Sequence, residues 1–405
     1  MVELPPSLNP KRAVFRLSRL HRAHCQKRLP MHHLILLFTL FCAQALAAVP
    51  QPPPVPEIAA RGYVLIDFNS GQSIAEHNAS ERMEPASLTK LMTAYLTFSA
   101  LRQEHLSLKQ TLPVSEKAWR AEGSRMFVQP NNPVLVDDLI KGMIVQSGND
   151  ACIVLAEGIA GSEEAFVQRM NEQAKKLGMN ATHFMNATGL PHPQHYTTAR
   201  DLSLLVRAII RDFPEYYPLY SIREYKYNNI SQPNRNRLLW LDPTVDGVKT
   251  GHTESAGFCL IASAKRESRR LLSVVLGTAS EGARAAESQK LLNYGFQFYD
   301  THRLYEKGQS IATLPVWKGS ENVVKAGVAQ DLYVTLPKGQ YPFLKAVMVS
   351  QQPLLAPLAT GQAVGTIKLT VEGKPYTEVP LVAQENVPVA NFFKRGWDSI
   401  KLLVK

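Results

Sequence analysis

Cysteines and clustered metal ligands are scarce in this sequence. Of four cysteines in 405 residues, only Cys152 and Cys259 follow the first 47 residues, and neither belongs to a Cys-x-x-Cys pair. His192-Pro-Gln-His195 has no further ligand at a useful spacing. We therefore expect no metal site and no cofactor. The two cysteines could pair in an oxidising compartment, but we favour the interpretation that both are buried thiols.

The chain also lacks a block of like charges suited to a nucleic-acid backbone. Its formal net charge is +11, yet residues 1–47 hold seven Lys or Arg and one acid, so they supply +6 and the remainder supplies +5. This mild basicity argues against nucleic acid as a partner. With 45% hydrophobic and 20% charged residues, the chain has an ordinary globular composition, and its length suggests two domains.

The first 47 residues have the pattern of an export signal. A basic lead precedes an apolar core, Leu34–Phe41, which is too short to form a stable membrane anchor. Ala45-Leu-Ala47 places small residues at the two positions that a signal peptidase recognises, so we predict cleavage after Ala47. An uncleaved anchor is the alternative, and Met31 offers a second possible start. Cys42 lacks the small residue expected before a lipoprotein cysteine.

The pattern of apolar and turn residues separates the remaining chain into four regions. Residues 48–60 form a Pro-rich extended leader, and residues 61–308 open on a β-hairpin, Arg61–His77. Strands at both ends of this second region, with helices between them, predict an α/β (α+β) domain with one antiparallel sheet flanked by helices. Residues 309–388 predict a small all-β domain. The predicted helices are one opening near Pro85 or Ser87, then Val136–Val145, Ala151–Ile159, Glu163–Leu177, Ala199–Arg211 and Glu281–Phe298, and the predicted strands include Glu224–Tyr227, Gly247–Thr250, Phe258–Ala264 and Leu271–Leu276.

The last region, residues 389–405, predicts an amphipathic helix. At about 100° per residue its aromatic and aliphatic side chains share one face, and charged residues with a net +3 lie opposite. An aromatic apolar face beside cations suits an anionic bilayer surface. The alternative is a helix that packs on its own domain or on a partner. The apolar face comprises Phe392, Phe393, Gly396, Trp397, Ile400, Leu403 and Val404, and the charged face comprises Lys394, Arg395, Asp398, Lys401 and Lys405.

Three short motifs in a fixed order carry the chemistry. They are Ser87-Leu-Thr-Lys90, Ser147-Gly-Asn149 and Lys249-Thr-Gly251, with gaps of 60 and 102 residues. Each motif alone occurs often by chance, and each has a plain structural explanation: a helix cap, a turn, and an edge strand with a solvated lysine. Together they supply the groups that acyl transfer through a serine ester needs, with lysines doing the proton work.

The first motif can supply an activated nucleophile. Residues three apart on a helix share a face, so the Lys90 amine can reach the Ser87 hydroxyl. The helix N-terminus favours a developing alkoxide. Lys90 must be neutral to accept a proton, and burial with a nearby second cation can achieve that; Lys249 is our candidate for that cation.

The other two motifs can handle the leaving group and the substrate. In the functional interpretation, Ser147 relays a proton to the leaving amine, and Asn149 binds the amide carbonyl of the substrate. Lys249 and Thr250 hold a substrate carboxylate, and Gly251 lets the substrate lie against the backbone.

The triplet resembles the penicillin-recognising serine acyl transferases, which share a β-lactamase-like fold. It is most similar to the low-molecular-weight penicillin-binding proteins that are D-alanyl-D-alanine carboxypeptidases. The resemblance extends from the leader to the C-terminal helix, and Val245-Asp-Gly-Val-Lys-Thr-Gly-His252 is typical of them. It implies removal of the terminal D-alanine from peptidoglycan stem pentapeptides, with β-lactams as inhibitors that acylate the enzyme. It also implies a periplasmic protein attached to the inner-membrane surface through residues 389–405.

By this resemblance each motif residue receives a role. Ser87 forms the acyl-enzyme, Lys90 accepts its proton and Ser147 is the relay. Substrate binding falls to Asn149, Lys249, Thr250, Gly251 and His252. The backbone N–H groups of Ser87 and His252 form the oxyanion hole. Arg200 and Arg284 support the substrate pocket.

Two other protein classes fit parts of the pattern. A class A β-lactamase shares the three motifs but needs an added glutamate, and residues 186–196 contain no acid. The second motif of a class A β-lactamase is also Ser-Asp-Asn, where this chain has Ser-Gly-Asn. A peptidoglycan-binding protein with a vestigial site is disfavoured because Ser87 and Lys90 are intact.

The sequence leaves the identity of the acyl acceptor open: water gives carboxypeptidase activity, an amine gives transpeptidation, and a cross-linked donor gives endopeptidase activity. Chain size and a single catalytic domain favour water.

Overall fold

The computed structural model describes residues 2–4 and 50–403, so the predicted cleavage site after Ala47 lies outside the described residues. The chain forms two compact units, each described by itself below. One consists of Pro52–Arg303 with Leu332–Lys338. The other consists of the described residues within Met1–Gln51, Leu304–Asp331 and Gly339–Lys405.

A five-stranded antiparallel sheet organises the first unit. Its spatial order is Ser73–His77, Gly62–Asp67, Arg269–Thr278, Gly257–Arg266 and Val245–Thr253. The predicted hairpin and the predicted antiparallel sheet are therefore confirmed. Smaller two-stranded sheets pair Thr111–Leu112 with Val134–Leu135, Glu224–Tyr227 with Ile230–Pro233, and Tyr299–Tyr305 with Leu332–Pro337.

Helices cover both faces of this sheet. Alternation along Gly62–Asp67 sends Val64 and Ile66 into one apolar core and Leu65 into another, because successive strand residues point to opposite faces. The second core includes Leu291 and Leu292 of the helix Glu281–Phe298. The remaining helices are the 3₁₀ segments Ala86–Thr89 and Tyr217–Ser221 and the α-helices Lys90–Arg102, Glu116–Trp119, Val136–Val145, Asn149–Ala160, Glu163–Lys176, Ala199–Asp212 and Leu238–Leu241.

The second unit is rich in β-structure, as predicted. Its seven-stranded sheet has the order Val2–Leu4, Leu344–Ser350, Ala363–Val371, Lys374–Ala383, Val323–Gly327, Ala312–Trp317 and Leu354–Leu355. A 3₁₀ turn, Tyr341–Phe343, and an α-helix, Phe392–Leu403, complete it. Among the described residues, no helix combines the length and the apolar character needed to cross a bilayer.

The two cysteines within the described part of the chain are buried free thiols. Cys152 lies on the helix Asn149–Ala160, and Cys259 lies on the strand Gly257–Arg266. Burial raises the pKa of Cys152 to about 12, so it stays a neutral thiol at physiological pH. Both side chains act as small apolar core residues.

Candidate active site

The predicted nucleophile, Ser87, lies on a tight turn at the start of a helix. It belongs to the 3₁₀ turn Ala86–Thr89, which leads into the helix Lys90–Arg102. Ala86 is fully buried with φ +47°, a left-handed conformation that alanine rarely adopts. The turn leaves Ser87 half-buried and brings the Lys90 Nζ atom to 3.1 Å from the Ser87 Oγ atom. The predicted pairing of this hydroxyl and this amine is therefore present.

Lys90 is held in a dry and polar environment. It is 2% exposed, and its Nζ atom donates to Asn149 Oδ1 and to the Thr188 carbonyl, each at 2.6 Å. The pKa of Lys90 is lowered from 10.5 to about 8, mainly by burial; the Arg235 guanidinium acts in the same direction, and Asp150 opposes the shift. In the neutral amine, these two carbonyl oxygens hold both N–H hydrogens. The lone pair then faces Ser87, as a base requires.

A second buried lysine, Lys249, donates a hydrogen bond to the hydroxyl of Ser147. The Lys249 Nζ atom donates to Ser147 Oγ at 3.0 Å and to the Thr250 carbonyl at 2.9 Å. Burial first, and then the nearby Lys90 charge, hold the pKa of Lys249 well below its ordinary value. We expected Lys249 to be the cation that depresses the pKa of Lys90. The charges of the two lysines repel each other, which lowers the pKa of Lys249, and the Arg235 guanidinium also lowers the pKa of Lys90.

The second motif forms the corner between two helices. Ser147 has φ +61° and is buried between Val136–Val145 and Asn149–Ala160. Asn149 accepts from Lys90 through Oδ1 and donates through Nδ2 to the Glu122 carbonyl at 2.6 Å. Both ends of the carboxamide are thus engaged within the protein, and Asn149 orients Lys90. The expected contact between Asn149 and a substrate carbonyl would require one of these hydrogen bonds to be exchanged.

The third motif lies on an edge strand. This strand, Val245–Thr253, ends the five-stranded sheet and carries Lys249, Thr250, Gly251 and His252. A Cβ atom at Gly251 would lie 3.2 Å from the Pro85 carbonyl oxygen and 3.3 Å from Ala86 Cβ. Glycine therefore allows this strand to lie close against the turn that carries the nucleophile. This close approach is a second use for Gly251 beside the predicted one.

All three motifs meet at one cavity of about 350 Å³. Ser87, Ser147, Thr250, Gly251 and His252 line it. Its cationic wall consists of Arg235 and Arg284, and its remaining lining residues are Gly123, Ser124, Phe258 and Glu281. The His252 ring stacks on Phe258 with 3.9 Å between the ring centroids. Its small volume, four hydroxyls and two guanidinium groups suit a short peptide end that carries a carboxylate.

Arg284 and Arg200, the two arginines expected to support the substrate pocket, occupy different positions. Arg284 lies in the cavity wall, where it donates to the carbonyls of Gly251 and Arg235, each at 3.4 Å, and pairs with Glu281 at 3.1 Å. Arg200 instead forms an exposed ion pair with Glu76 at 2.8 Å and does not line the cavity. Arg200 therefore supports the hairpin strand Ser73–His77.

Sequence reasoning missed three contributors to the site. Arg235 received no role from the sequence, and the Thr188 carbonyl carries no side-chain signal. Asp150 follows Asn149 directly, and its carboxylate accepts backbone N–H groups of Met126 (2.9 Å) and Phe127 (2.8 Å), among others. An acid in the first turn of a predicted helix is the sequence signal that could have indicated such a contact.

Two family models match the chain. A model described as D-alanyl-D-alanine carboxypeptidase matches residues 47–280, and one described as penicillin-binding protein 5, C-terminal domain, matches residues 299–389. The first model covers more than half of the chain and contains all three motifs.

Curated relatives and solved structures agree with these models. The chain is 44% identical over 371 residues to D-alanyl-D-alanine carboxypeptidase DacC of Escherichia coli (strain K12), covering 90% of this chain and 92% of that one. The crystal structure of penicillin binding protein 5 from Haemophilus influenzae is similar with a TM-score of 0.80 and 40% identity, covering 84% of this chain and 100% of that chain. Penicillin-binding protein D2 from Listeria monocytogenes, in its ampicillin-bound form, is similar with a TM-score of 0.56 and 32% identity over 60% of this chain and 100% of that chain.

Proposed function

The chain belongs to the D-alanyl-D-alanine carboxypeptidase family, and from that premise we propose how its residues carry out the reaction. It is a serine-type D-Ala-D-Ala carboxypeptidase of peptidoglycan and a penicillin-binding protein. The alternative of a class A β-lactamase is accordingly set aside.

Acylation begins at Ser87. The neutral Lys90 amine takes the Ser87 proton across 3.1 Å, and the Oγ atom attacks the carbonyl carbon of the penultimate D-alanine. The backbone N–H groups of Ser87 and His252 stabilise the resulting oxyanion, since both residues line the cavity. Thr250, Arg235 and Arg284 bind the terminal carboxylate at the cationic wall. Lys249 is less suited to that task because it donates to Ser147 and to the Thr250 carbonyl and does not line the cavity.

Departure of the leaving group needs a proton. Ser147 gives its hydroxyl proton to the leaving amine, and Lys249 supports the developing charge on Ser147 Oγ from 3.0 Å. The proton that Lys90 took from Ser87 then restores the Ser147 hydroxyl, so the Lys90 amine is neutral again. Free D-alanine leaves, and water attacks the Ser87 ester with Lys90 acting a second time as the base. A penicillin enters by the same acylation step, so it occupies Ser87 as a slowly hydrolysed ester.

The observation that carries this proposal is a buried Lys90 amine with a pKa of about 8 beside Ser87 Oγ. The test measures D-alanine released from a pentapeptide stem, together with the mass added by a penicillin pulse. Ser87→Ala should abolish both signals. Ser124→Ala is the matched control, because Ser124 is another hydroxyl that lines the same cavity but has no role in the proposed steps, and it should retain both signals. Penicillin label on any residue other than Ser87 would overturn the proposal.

We also propose peripheral attachment of the periplasmic protein to the inner membrane through the helix Phe392–Leu403. Its side chains Phe392, Phe393 and Leu403 are 81%, 84% and 87% exposed. Its polar side instead contacts its own unit: Asp398 Oδ2 accepts the Lys318 backbone N–H at 2.7 Å. This reverses the usual arrangement, in which an amphipathic helix buries its apolar face. An exposed aromatic face beside cations suits an anionic lipid surface.

Sedimentation with vesicles tests this attachment. The chain should sediment with anionic vesicles, and a form without residues 389–405 should stay in the supernatant while still releasing D-alanine. Phe393→Glu changes only the exposed face and should weaken binding. Lys368→Glu is the control, because it makes a charge change away from this helix. Sedimentation of the truncated form would contradict the attachment.

A further inference from the structure

Glu163 is a buried acid that does not line the catalytic cavity. It opens the helix Glu163–Lys176, where the preceding Ser162 is the N-cap. An acid in the first turn of a helix is favoured by the helix dipole, but the neighbouring Glu164 meets that preference with a side chain that is 75% exposed. Glu163 is only 8% exposed, so its burial needs a further reason.

One carboxylate oxygen of Glu163 holds the segment that contacts Lys90. Oε1 accepts the Ala187 backbone N–H at 2.9 Å. The Ala187 carbonyl accepts from Thr93 Oγ1 at 2.7 Å, and the next carbonyl, that of Thr188, accepts from Lys90 Nζ at 2.6 Å. Because Ala187 is fully buried, its N–H depends on Glu163 for an acceptor.

The other carboxylate oxygen of Glu163 holds a second segment. Oε2 pairs with Lys117 Nζ at 2.9 Å. Lys117 lies on the short helix that precedes the loop beside the cavity, and the Glu122 carbonyl of that loop accepts from Asn149 at 2.6 Å. Asn149 in turn accepts from Lys90 Nζ at 2.6 Å. Both groups that accept from Lys90 are therefore held by segments that Glu163 contacts.

We propose that Glu163 is a positioning residue for the base, because its one carboxylate joins the two segments that hold Lys90. The inference rests on the proposed function, in which the neutral Lys90 amine acts in acylation and again in deacylation. While both segments are fixed, the N–H hydrogens of Lys90 stay on Asn149 and Thr188 and its lone pair faces Ser87. Loss of Glu163 releases the segments and misaligns the lone pair.

Four substitutions separate the two contacts of Glu163. Glu163→Leu keeps a side chain of similar size but removes both acceptors. Glu163→Gln keeps an oxygen for the Ala187 N–H and loses the charge that pairs with Lys117, and Lys117→Met breaks the same ion pair from the other side. Glu164→Gln is the matched control, because it removes a carboxylate that lies at the same 2.9 Å from Lys117 but at an exposed position.

The assay measures the rate constant of penicillin acylation, kcat and KM for a pentapeptide stem, and urea unfolding of the full chain. Glu163→Leu should lower the acylation rate constant and kcat about tenfold or more and leave KM within about twofold, because the cavity lining is unchanged. Glu163→Gln and Lys117→Met should each lower both rates about threefold. Their double variant should also lose about threefold, because the two changes break one ion pair. Glu164→Gln should stay within about 1.5-fold of wild type.

A role in stability alone predicts a different pattern. A Glu163→Leu protein that unfolds at lower urea but acylates with the rate constant of the wild type would overturn the inference. A loss of about ninefold in the double variant, which indicates independent effects, would also overturn it, and this result is decisive even if Glu163→Leu does not fold. Equal losses in Glu164→Gln and Glu163→Gln would do the same. A wild type that forms no ester with penicillin would instead overturn the proposed function.

Discussion

Asp150→Asn tests how the loop beside the active site is held. The two Asp150 carboxylate oxygens accept four backbone N–H groups, from Met126, Phe127, Val128 and Ala151. Oδ2 serves Phe127 and Val128, and an asparagine amide placed there would present hydrogens to those two donors. The same segment supplies Gly123 and Ser124 to the catalytic cavity and the Glu122 carbonyl to Asn149. The substitution therefore disturbs the loop and the cavity together.

The cost follows from the two donors that lose their acceptor. Each buried donor left unsatisfied costs about 1–3 kcal/mol, and partial solvation of the half-exposed loop reduces this, so we expect about 2–4 kcal/mol in unfolding free energy. Asp137→Asn is the matched control: it removes a partly exposed ion pair to Lys141 and should cost about 0.5 kcal/mol.

Urea unfolding and the rate of penicillin acylation measure the two consequences of Asp150→Asn. We expect acylation to fall about tenfold, since a misplaced Glu122 carbonyl releases Asn149 and with it Lys90. A stability within about 0.5 kcal/mol of the Asp137→Asn control would refute the reasoning. Unchanged acylation despite a destabilised loop would refute the link to Lys90.

Two further predictions concern the nucleophile turn. A Cβ atom at Gly189 would lie 1.8 Å from the Ala86 carbonyl oxygen, whereas one at Gly178 meets nothing within 4 Å, and both residues have positive φ. Gly178→Ala should therefore lower the unfolding free energy by about 1 kcal/mol. Gly189→Ala should lower it by about 3 kcal/mol more and should also abolish acylation. Equal losses for the two variants in denaturant unfolding would contradict the packing of this turn. The pKa of Lys90 is about 8 in the folded protein, and its ordinary value is 10.5. Between pH 8 and pH 10.5 the folded state therefore binds fewer protons than the unfolded state, and the folded state gains stability as the pH rises. The unfolding free energy of the wild type, relative to that of Lys90→Met, should rise by about 3 kcal/mol over this range. A flat difference in unfolding free energy over that range would mean that Lys90 is not depressed.

Local pattern predicted most elements of the catalytic unit. Val136–Val145 and Glu281–Phe298 have the bounds expected from their helical patterns, and the structure adds Ser280 as the cap of the second. The short helix Leu238–Leu241 and the strand Ile230–Pro233 were missed, because four residues carry too little periodicity. Sheet order also lay beyond local pattern: Gly62–Asp67 lies between its hairpin partner and Arg269–Thr278, a pairing across about two hundred residues.

In the site, the sequence indicated residue types better than their partners. Ser87 with Lys90 follows from helical spacing alone. The packing of distant elements determines which partners these residues have. Lys249 donates to Ser147, Asn149 accepts from Lys90, and Arg235 lowers the pKa of Lys90. The C-terminal helix shows the same limit, because periodicity defines an apolar face but does not say that this face is turned outward.

The most direct test of the account is the pH dependence of the penicillin acylation rate. If a neutral Lys90 amine deprotonates Ser87, the rate should rise about tenfold per pH unit at acidic pH and level off above a midpoint at about pH 8. Lys90→Met should abolish the reaction, and Lys226→Met, at an exposed lysine, should leave the profile unchanged. A rate that is constant between about pH 6 and pH 9, or that survives in Lys90→Met, would contradict Lys90 as the base.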